Sequence, residues 1–479
     1  MDIGQKAEKL MQPLWQLSAI DQAEGIATGR FTSSEVMNSV FDRIEDADRE
    51  INAVVEINKD AALDSAAQAD EALVRGNNLG PLHGVPITVK VNVDVSGLSN
   101  SNGVPAFRDI IASENSPVVQ NLLNAGAVIA GRTNTPEFSM RVNTDNPLYG
   151  LTRNPWNLAM SPGGSSGGAG AAAANGYGAI HHGNDIGGSL RFPATANGVA
   201  TVKVGQGRIA AYNPSAPAER GLLAQLMSVQ GAICREVRDV KLATEVMMQP
   251  DPRDPWQVPM PFNGPDIGQP AIGYCRNPHG YPIHPEIVRN LDRTATILQA
   301  AGYRVDEIET PSIKEPAQAW FSFAMLEIQS TLDPLVREHG SETIQNVFDY
   351  YYKMSNMVDP IGYMVGIADR TRLLREWSAL LTNYPLVLTP FLMRPLYPTD
   401  YDETFEGCKD LMDAAIYSFG VNYLGLPAGI IPIDLVEDMP SGVQIIGQKW
   451  REDLILEAMQ VIEDANGIFA HRLWEQQSA

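Results

Sequence analysis

Between residues 163 and 188 the chain carries ten of its 41 glycines, and half of what remains in that stretch is alanine or serine. No other segment constrains the local fold as tightly. Ala169 to Ala174 is almost pure alanine, the best helix former. The loop Gly163-Gly164-Ser165-Ser166-Gly167-Gly168 runs straight into that helix. Ser165 or Ser166 therefore lies near a helix N-terminus, where backbone N–H groups point outward and favour negative charge. A strand-like segment, Gly178 to His182, follows, and then a second loop, Asp185-Ile186-Gly187-Gly188-Ser189. Gly187 and Gly188 have no side chains, so their N–H groups can approach an oxyanion closely. Such donors beside a serine hydroxyl have the form of an oxyanion hole next to a nucleophile.

Helix and strand patterns alternate through the rest of the chain. Ser18 with Asp21, and Thr32 with Glu35, have the form of capping boxes; the second precedes Val36, Val40, Phe41 and Ile44 at helical spacing. Ala53 to Ile57 predicts a strand, Ala61 to Ala69 a helix, and Val85 to Val89 a strand that ends at Lys90. Ser116-Pro117 predicts a capped helix start and Gly126 its end, with a strand over Ala127 to Ala130. Ile287 to Ala301 and the segment through Leu454, Ala458 and Val461 predict helices, and Tyr384 to Thr389 a strand. This alternation predicts an α/β fold: a single large α/β/α domain over residues 1–479, built on a mixed, mostly parallel central sheet flanked by helices. The proline-dense segment 248–272 is expected to be a surface connection between two halves of that one architecture.

Charge narrows the function classes. Against 57 Asp and Glu there are 35 Lys and Arg, a net charge of −22. Such a surface repels phosphate backbones and anionic membranes, so neither nucleic acid nor membrane is expected as a partner. The start, MDIGQKAEKL, is charged and lacks an apolar core, so no secretory signal is expected. No apolar run approaches the roughly 18 residues that span a bilayer, and the chain reads as cytoplasmic. Cys234, Cys275 and Cys408 are too far apart for a disulfide framework or a zinc pattern. No metal or organic cofactor is expected.

Lys90, Ser165, Ser166 and Ser189 stand out as chemistry-bearing residues. Taken singly, each has a plainer reading. A lysine at a strand end is ordinarily a solvated terminus, and a serine among glycines is ordinarily a cap or a turn residue. Taken together, they raise the question of a base, which a serine hydroxyl needs. His181 and His182 are the nearest of seven histidines. Neighbours on a strand point to opposite faces, so at most one of them faces the loops. Lysine serves as a base only when uncharged, and burial among apolar groups lowers its pKa. Val85, Ile87 and Val89 ahead of Lys90 suit that requirement without forcing it.

The text around these residues resembles the amidase signature enzymes. Gly163 to Gly168, followed by Asp185-Ile186-Gly187-Gly188-Ser189-Leu190-Arg191-Phe192-Pro193-Ala194, looks like the signature block of that family. Pro81-Leu82-His83-Gly84-Val85-Pro86, leading to Lys90, is similar to its lysine-bearing segment, within a signature core of about 65–205. Asn146 to Trp156 and Gly442 to Gly447 fit as well. The resemblance implies a Ser–cis-Ser–Lys triad that hydrolyses the C–N bond of an amide or carbamate. Ser189 would be the nucleophile that forms an acyl-enzyme. Ser165 would sit on a cis peptide and relay a proton, and Lys90 would start as the uncharged base. Backbone N–H groups of Ile186, Gly187, Gly188 and Ser189 would hold the oxyanion. Ser166 would orient Ser165, Asp185 and Arg191 would support the loop, and Met140 would line the acyl site. The resemblance also implies a small-molecule amide or carbamate as substrate, aryl or short acyl, and a homodimer.

The sequence departs from that pattern at Asn197, where the family often has Cys, at Val202-Lys203-Val204-Gly205, and at His181-His182. Rival readings remain. Ser166 in Gly164-Ser165-Ser166-Gly167-Gly168 formally matches the G-x-S-x-G of α/β-hydrolase esterases, with His339 or His471 as the late histidine. Gly168, Gly170 and Ala173 give a weak nucleotide-loop match. The same triad would serve the glutamine-hydrolysing subunit of a tRNA-dependent amidotransferase, and an inactive scaffold is a further alternative.

Overall fold

Local signals open the helices. In this computed structural model, which describes residues 12–77 and 80–478, Thr32 and Glu35 close a full capping box on helix Ser33–Ile51. The Ser18 hydroxyl oxygen accepts from the Asp21 N–H at 3.0 Å and starts helix Ala19–Ala27. Ser116 differs: its side chain makes no cap on helix Pro117–Asn124, whose start is set by Pro117 at the first turn. The charged start MDIGQKAEKL, with the expectation about a secretory signal, lies outside the described residues.

Eleven strands join in one sheet: β1 Val54–Glu56, β2 Pro86–Lys90, β3 Val128–Thr133, β4 Ile180–Asp185, β5 Ala200–Lys203, β6 Val229–Cys234, β7 Ile272–Tyr274, β8 Val305–Glu307, β9 Leu386–Pro390, β10 Ala428–Val436 and β11 Met439–Gly447. Their order is β1-β3-β2-β4-β6-β5-β10-β11-β9-β7-β8. The sheet is mixed, as expected, but its parallel share is smaller than expected. Among the described residues only β2–β3, β2–β4, β7–β8 and β7–β9 are parallel pairs; the other six neighbouring pairs are antiparallel. The physical reason is partly a tight turn. β10 and β11 are joined by Glu437 and Asp438 alone, both at positive φ, and a two-residue connection forces antiparallel pairing.

Helices cover both faces. Helices Val237–Met247, Pro285–Ala300 and Glu452–Asn466 share one apolar cluster with Val85 and with Ile87 and Val89 of β2. Helices Arg191–Asn197, Pro360–Asn383, Phe405–Ala414 and Ile416–Leu424 build the other. The proline-dense segment joins helix Val237–Met247 to β7, with Trp256, Val258 and Ile267 exposed. Strands on both sides of it belong to the same sheet, so it connects parts of one domain. Among the described residues no helix is long and apolar enough to cross a membrane.

The alanine helix, Gly167–Asn175, is buried along its whole length. Its glycines mark close approaches: a Cβ on Gly168 would lie 2.4 Å from the Asn134 backbone nitrogen, and one on Gly170 2.7 Å from Asn197 Nδ2. Asn197 donates to the carbonyls of Pro162 and Pro193, both at 2.8 Å, and so fixes the start of the glycine loop. That departure from the family pattern is absorbed as a packing device.

Candidate active site

β2 and β4 are adjacent and parallel, and Lys90 ends one while Asn184 and Asp185 end the other. In open α/β sheets ligands gather outside such carboxyl ends. The Gly164–Ser165 peptide is cis. Ser166 is the N-cap residue of the alanine helix, and its N–H donates to the Ser189 carbonyl at 3.1 Å, binding the two glycine loops together.

Lys90 is fully buried. Its Nζ lies 2.8 Å from Ser165 Oγ, 3.1 Å from Ser166 Oγ and 2.9 Å from Asn184 Oδ1. Burial pushes its ammonium well below the usual lysine value, against the opposing pull of Asp185. An amine held uncharged within hydrogen-bond reach of a hydroxyl can take its proton. Thr135 donates to the Ser165 carbonyl at 2.9 Å and steadies that residue from the far side. The histidines next door are engaged elsewhere. His181 Nδ1 meets Thr88 Oγ1 at 2.8 Å and His182 Nε2 meets Gln230 Oε1 at 2.9 Å; burial lowers them to about 3 and about 4.

The second loop is built around a buried ion pair. Arg191 donates to both oxygens of Asp185 at 3.1 Å and also to Gln444 Oε1, the Ser418 carbonyl and Asn422 Oδ1. Burial alone would raise the Asp185 carboxyl, but Arg191 wins and holds it at about 2. Gly188 must be glycine, since its φ is +119° and a Cβ there would lie 2.2 Å from Ser418 Oγ. Its N–H, expected among the oxyanion donors, instead donates to Asp185 Oδ1 at 2.8 Å, and Leu190 N–H donates to Oδ2. Asp185 is the reason: a buried carboxylate claims the nearest donors. The N–H groups of Ile186, Gly187 and Ser189 have no partner among the described residues.

Ser189 is half-buried at the edge of a cleft with Gly164 and Met140 on its wall. Trp320, Phe321 and Phe419 form an aromatic side, their ring centroids 4.9–5.0 Å apart. Trp320 and Phe321 lie in a π-helical turn, Trp320–Ala324. Trp320 Nε1 donates to the Ile186 carbonyl at 2.8 Å, tying this wall to the glycine loop. Arg141, also on the wall, is paired with Asp402 at 2.6 Å and Glu403 at 3.0 Å, so its charge is spent.

The structure brings Lys90, Ser165, Ser166, Ser189, Asp185, Arg191 and Met140 into one neighbourhood. The histidines of the esterase reading lie elsewhere: His471 packs on Trp474 and His339 on Phe107, while Ser166 faces Lys90. The weak nucleotide-loop glycines, Gly168 and Gly170, are filled by the protein's own backbone and side chains. Among the described residues no group of three His, Cys, Asp or Glu side chains is arranged to hold a metal ion.

A family model described as Amidase matches residues 35–456. The chain belongs to the amidase signature family. Among amidases it is 45% identical, over 97% of its length and 89% of the relative's, to an indoleacetamide hydrolase of Bradyrhizobium diazoefficiens. It is 28% identical to a glutamyl-tRNA(Gln) amidotransferase subunit of Alkaliphilus metalliredigens, over 95% of this chain and 97% of that one. Its fold matches a solved 6-aminohexanoate cyclic dimer hydrolase with a TM-score of 0.82 at 25% identity, covering 95% of this chain and 98% of that one. As an amidase it is a hydrolase of amides. What sequence reasoning missed in this amidase is Asn184, Asn92 and the aromatic wall. Asn184 stood directly before Asp185, and Trp320-Phe321-Ser322-Phe323 was an unusually aromatic run, but only the fold puts Asn184 between Lys90 Nζ and Asn92, and Trp320 and Phe321 on the cleft that Ser189 edges.

Proposed function

We propose that the chain hydrolyses the primary amide of an arylacetic acid, with indole-3-acetamide as the representative substrate, to the carboxylate and ammonia. The contact that carries this reading is Lys90 Nζ at 2.8 Å from Ser165 Oγ, buried beside the cleft that Ser189 edges. In the proposed reaction Ser189 Oγ attacks the amide carbonyl as its proton passes to Ser165, whose own proton passes to Lys90. The N–H groups of Ile186, Gly187 and Ser189 receive the oxyanion; losing one such donor typically costs about 10²–10³ in rate. Lys90 then returns the proton through Ser165 to the departing nitrogen. The C–N bond breaks, ammonia leaves and an acyl-enzyme remains. Water, deprotonated along the same path, attacks the ester and frees Ser189.

Two observations support an aromatic acyl group. The cleft wall is aromatic at Trp320, Phe321 and Phe419, and the relative at 45% identity is an indoleacetamide hydrolase. Glutamine fits poorly, because its α-carboxylate would need a free cation and Arg141 is already neutralised by Asp402 and Glu403. The test is ammonia release from indole-3-acetamide, L-glutamine and a phenyl carbamate, with chromatography of indole-3-acetate. Indole-3-acetamide should turn over fastest, and Ser189→Ala and Lys90→Ala should abolish turnover. Faster release from glutamine or the carbamate, or turnover surviving in Ser189→Ala, would refute the proposal.

A further inference from the structure

An uncharged lysine amine has two N–H bonds and one lone pair, while three polar atoms surround Lys90 Nζ: Ser165 Oγ, Ser166 Oγ and Asn184 Oδ1. Only the lone pair can take a proton, so the base works on Ser165 only if the two N–H bonds point elsewhere. A carboxamide oxygen is purely an acceptor. Which end of Asn184 faces the amine is set from behind. Asn184 Nδ2 donates to Asn92 Oδ1 at 2.9 Å, Asn92 Nδ2 donates to Ser139 Oγ at 2.9 Å, and Ser139 Oγ donates to Asn102 Oδ1 at 2.6 Å. Asn92 Nδ2 also donates to Asn184 Oδ1 at 3.4 Å, so the two carboxamides hold each other from both sides. The end at Lys90 is an oxygen. The Ser166 hydroxyl meanwhile points its proton at the Asn184 carbonyl, 3.4 Å away, and so offers Lys90 an acceptor. Two acceptors take the two N–H bonds, and the lone pair is left for the Ser165 hydroxyl.

The far end of the chain is anchored in strained backbone. Phe138 and Ser139 are consecutive non-glycine residues at φ +54° and +57°. Conformations of that kind persist only where the surroundings over-determine them, and they cluster at functional sites. Ser139 is also on the cleft wall.

We infer that Asn184, locked by Asn92 and Ser139, is a positioning residue that aims the Lys90 lone pair at Ser165. This rests on the reading of Lys90, Ser165 and Ser189 as the reacting groups. The charged neighbours of Lys90 are already settled: Asp185 is paired with Arg191, Arg132 of β3 lies 3.5 Å from Glu56, and His182 of β4 is uncharged at neutral pH because burial lowers it to about 4. A carboxylate placed at 184 would therefore be the one unpaired charge touching Nζ.

The test uses phenylmethanesulfonyl fluoride, which reports the serine independently of any amide substrate. Ser189 Oγ bonds to sulfur, the S–F bond breaks, fluoride leaves, and the hydroxyl proton passes to Lys90. Inactivation rates are measured from pH 5 to 10 on the full chain, with the modified peptide identified by mass. In Asn184→Asp the new carboxylate favours the charged amine, and the acidic limb should move up by about one to three pH units. In Asn184→Leu the charged amine loses an acceptor, so the limb should move down, and the plateau rate should fall about tenfold because the lone pair is no longer aimed. Thermal melting confirms that each variant is folded, and the near-isosteric Asn184→Asp decides if the leucine variant is not. A limb unmoved in Asn184→Asp, or an unchanged plateau in folded Asn184→Leu, overturns the inference. Wild-type chain that is never modified at Ser189 overturns the nucleophile reading itself, and this inference with it.

Discussion

Replacing Arg191 with methionine tests whether charge holds the loop that carries Ser189. The wild-type Asp185 carboxyl stands at about 2, against 3.8 ordinarily. At about 1.4 kcal/mol per pH unit that difference amounts to about 2.5 kcal/mol of stability at neutral pH. This contribution is complete above about pH 4 and is lost as pH falls from there toward 2. Arg191→Met removes it along with the bonds to Gln444, Ser418 and Asn422, and leaves a buried carboxylate without a cation. The expected loss is about 3–5 kcal/mol, a large part of the stability of an ordinary domain. Its pH dependence is the sharper prediction. Burial is the largest influence on Asp185 and loses its strongest opponent, leaving only Lys203, Asn422 and the Gly188 and Leu190 N–H groups against it, so the carboxyl is expected to rise above its ordinary value. The folded variant then prefers the protonated acid, and its penalty grows as pH rises above about 4. Urea unfolding followed by tryptophan fluorescence at pH 8, 6 and 4.5 measures both chains. The gap should be widest at pH 8 and narrowest at pH 4.5. A loss under about 1 kcal/mol at pH 8, or a gap that does not shrink toward pH 4.5, would refute the argument.

Ser165→Ala should leave thermal stability near wild type and lower kcat for indole-3-acetamide by about 10²–10⁴, the range of a lost proton relay; a smaller loss in steady-state kinetics would remove Ser165 from the path. Trp320→Phe keeps ring packing but deletes the hydrogen bond to the Ile186 carbonyl, so kcat should fall about tenfold with KM little changed, and a change confined to KM would contradict the coupling. Asp239 is buried against Glu236 and is raised to about 7, so its ionisation costs stability as pH rises from about 4 to 7. Asp239→Asn should accordingly raise the urea midpoint at pH 8, by up to about 4 kcal/mol equivalent, and not at pH 4; equal effects at both would show that the carboxyl is not perturbed.

The geometry of the signature loops was legible because their contacts are short-range. Gly163 to Gly168 and Asp185 to Ser189 each hold their donors and hydroxyls within a few residues, and the apolar run before Lys90 foretold a buried amine. Thr32 with Glu35 closed as a box because capping is local as well. Three things were not legible. The Gly188 N–H is claimed by Asp185, an orientation fixed by Arg191 and its partners on residues 418, 422 and 444. The role of Asn184 depends on Asn92 and Ser139, which lie 92 and 47 residues from their partners along the chain. The sheet's parallel share was overestimated because strand direction rests on long-range pairing, which alternation in the sequence does not report.

The Trp320–Ile186 hydrogen bond has a consequence for how such a molecule diversifies. The proposed proton path is drawn from residues 90 to 189, whereas the aromatic wall comes from residues 320 to 419. Segments so far apart can be exchanged or re-lined independently, so new acyl groups can be admitted without rebuilding the machinery that breaks the bond. That indole N–H and the Ser418 hydroxyl, which donates to the Gly187 carbonyl, form the seam between them: a replacement wall that lacks the indole is expected to inherit a looser Ser189 loop, and its first useful second-site change should fall near Ile186.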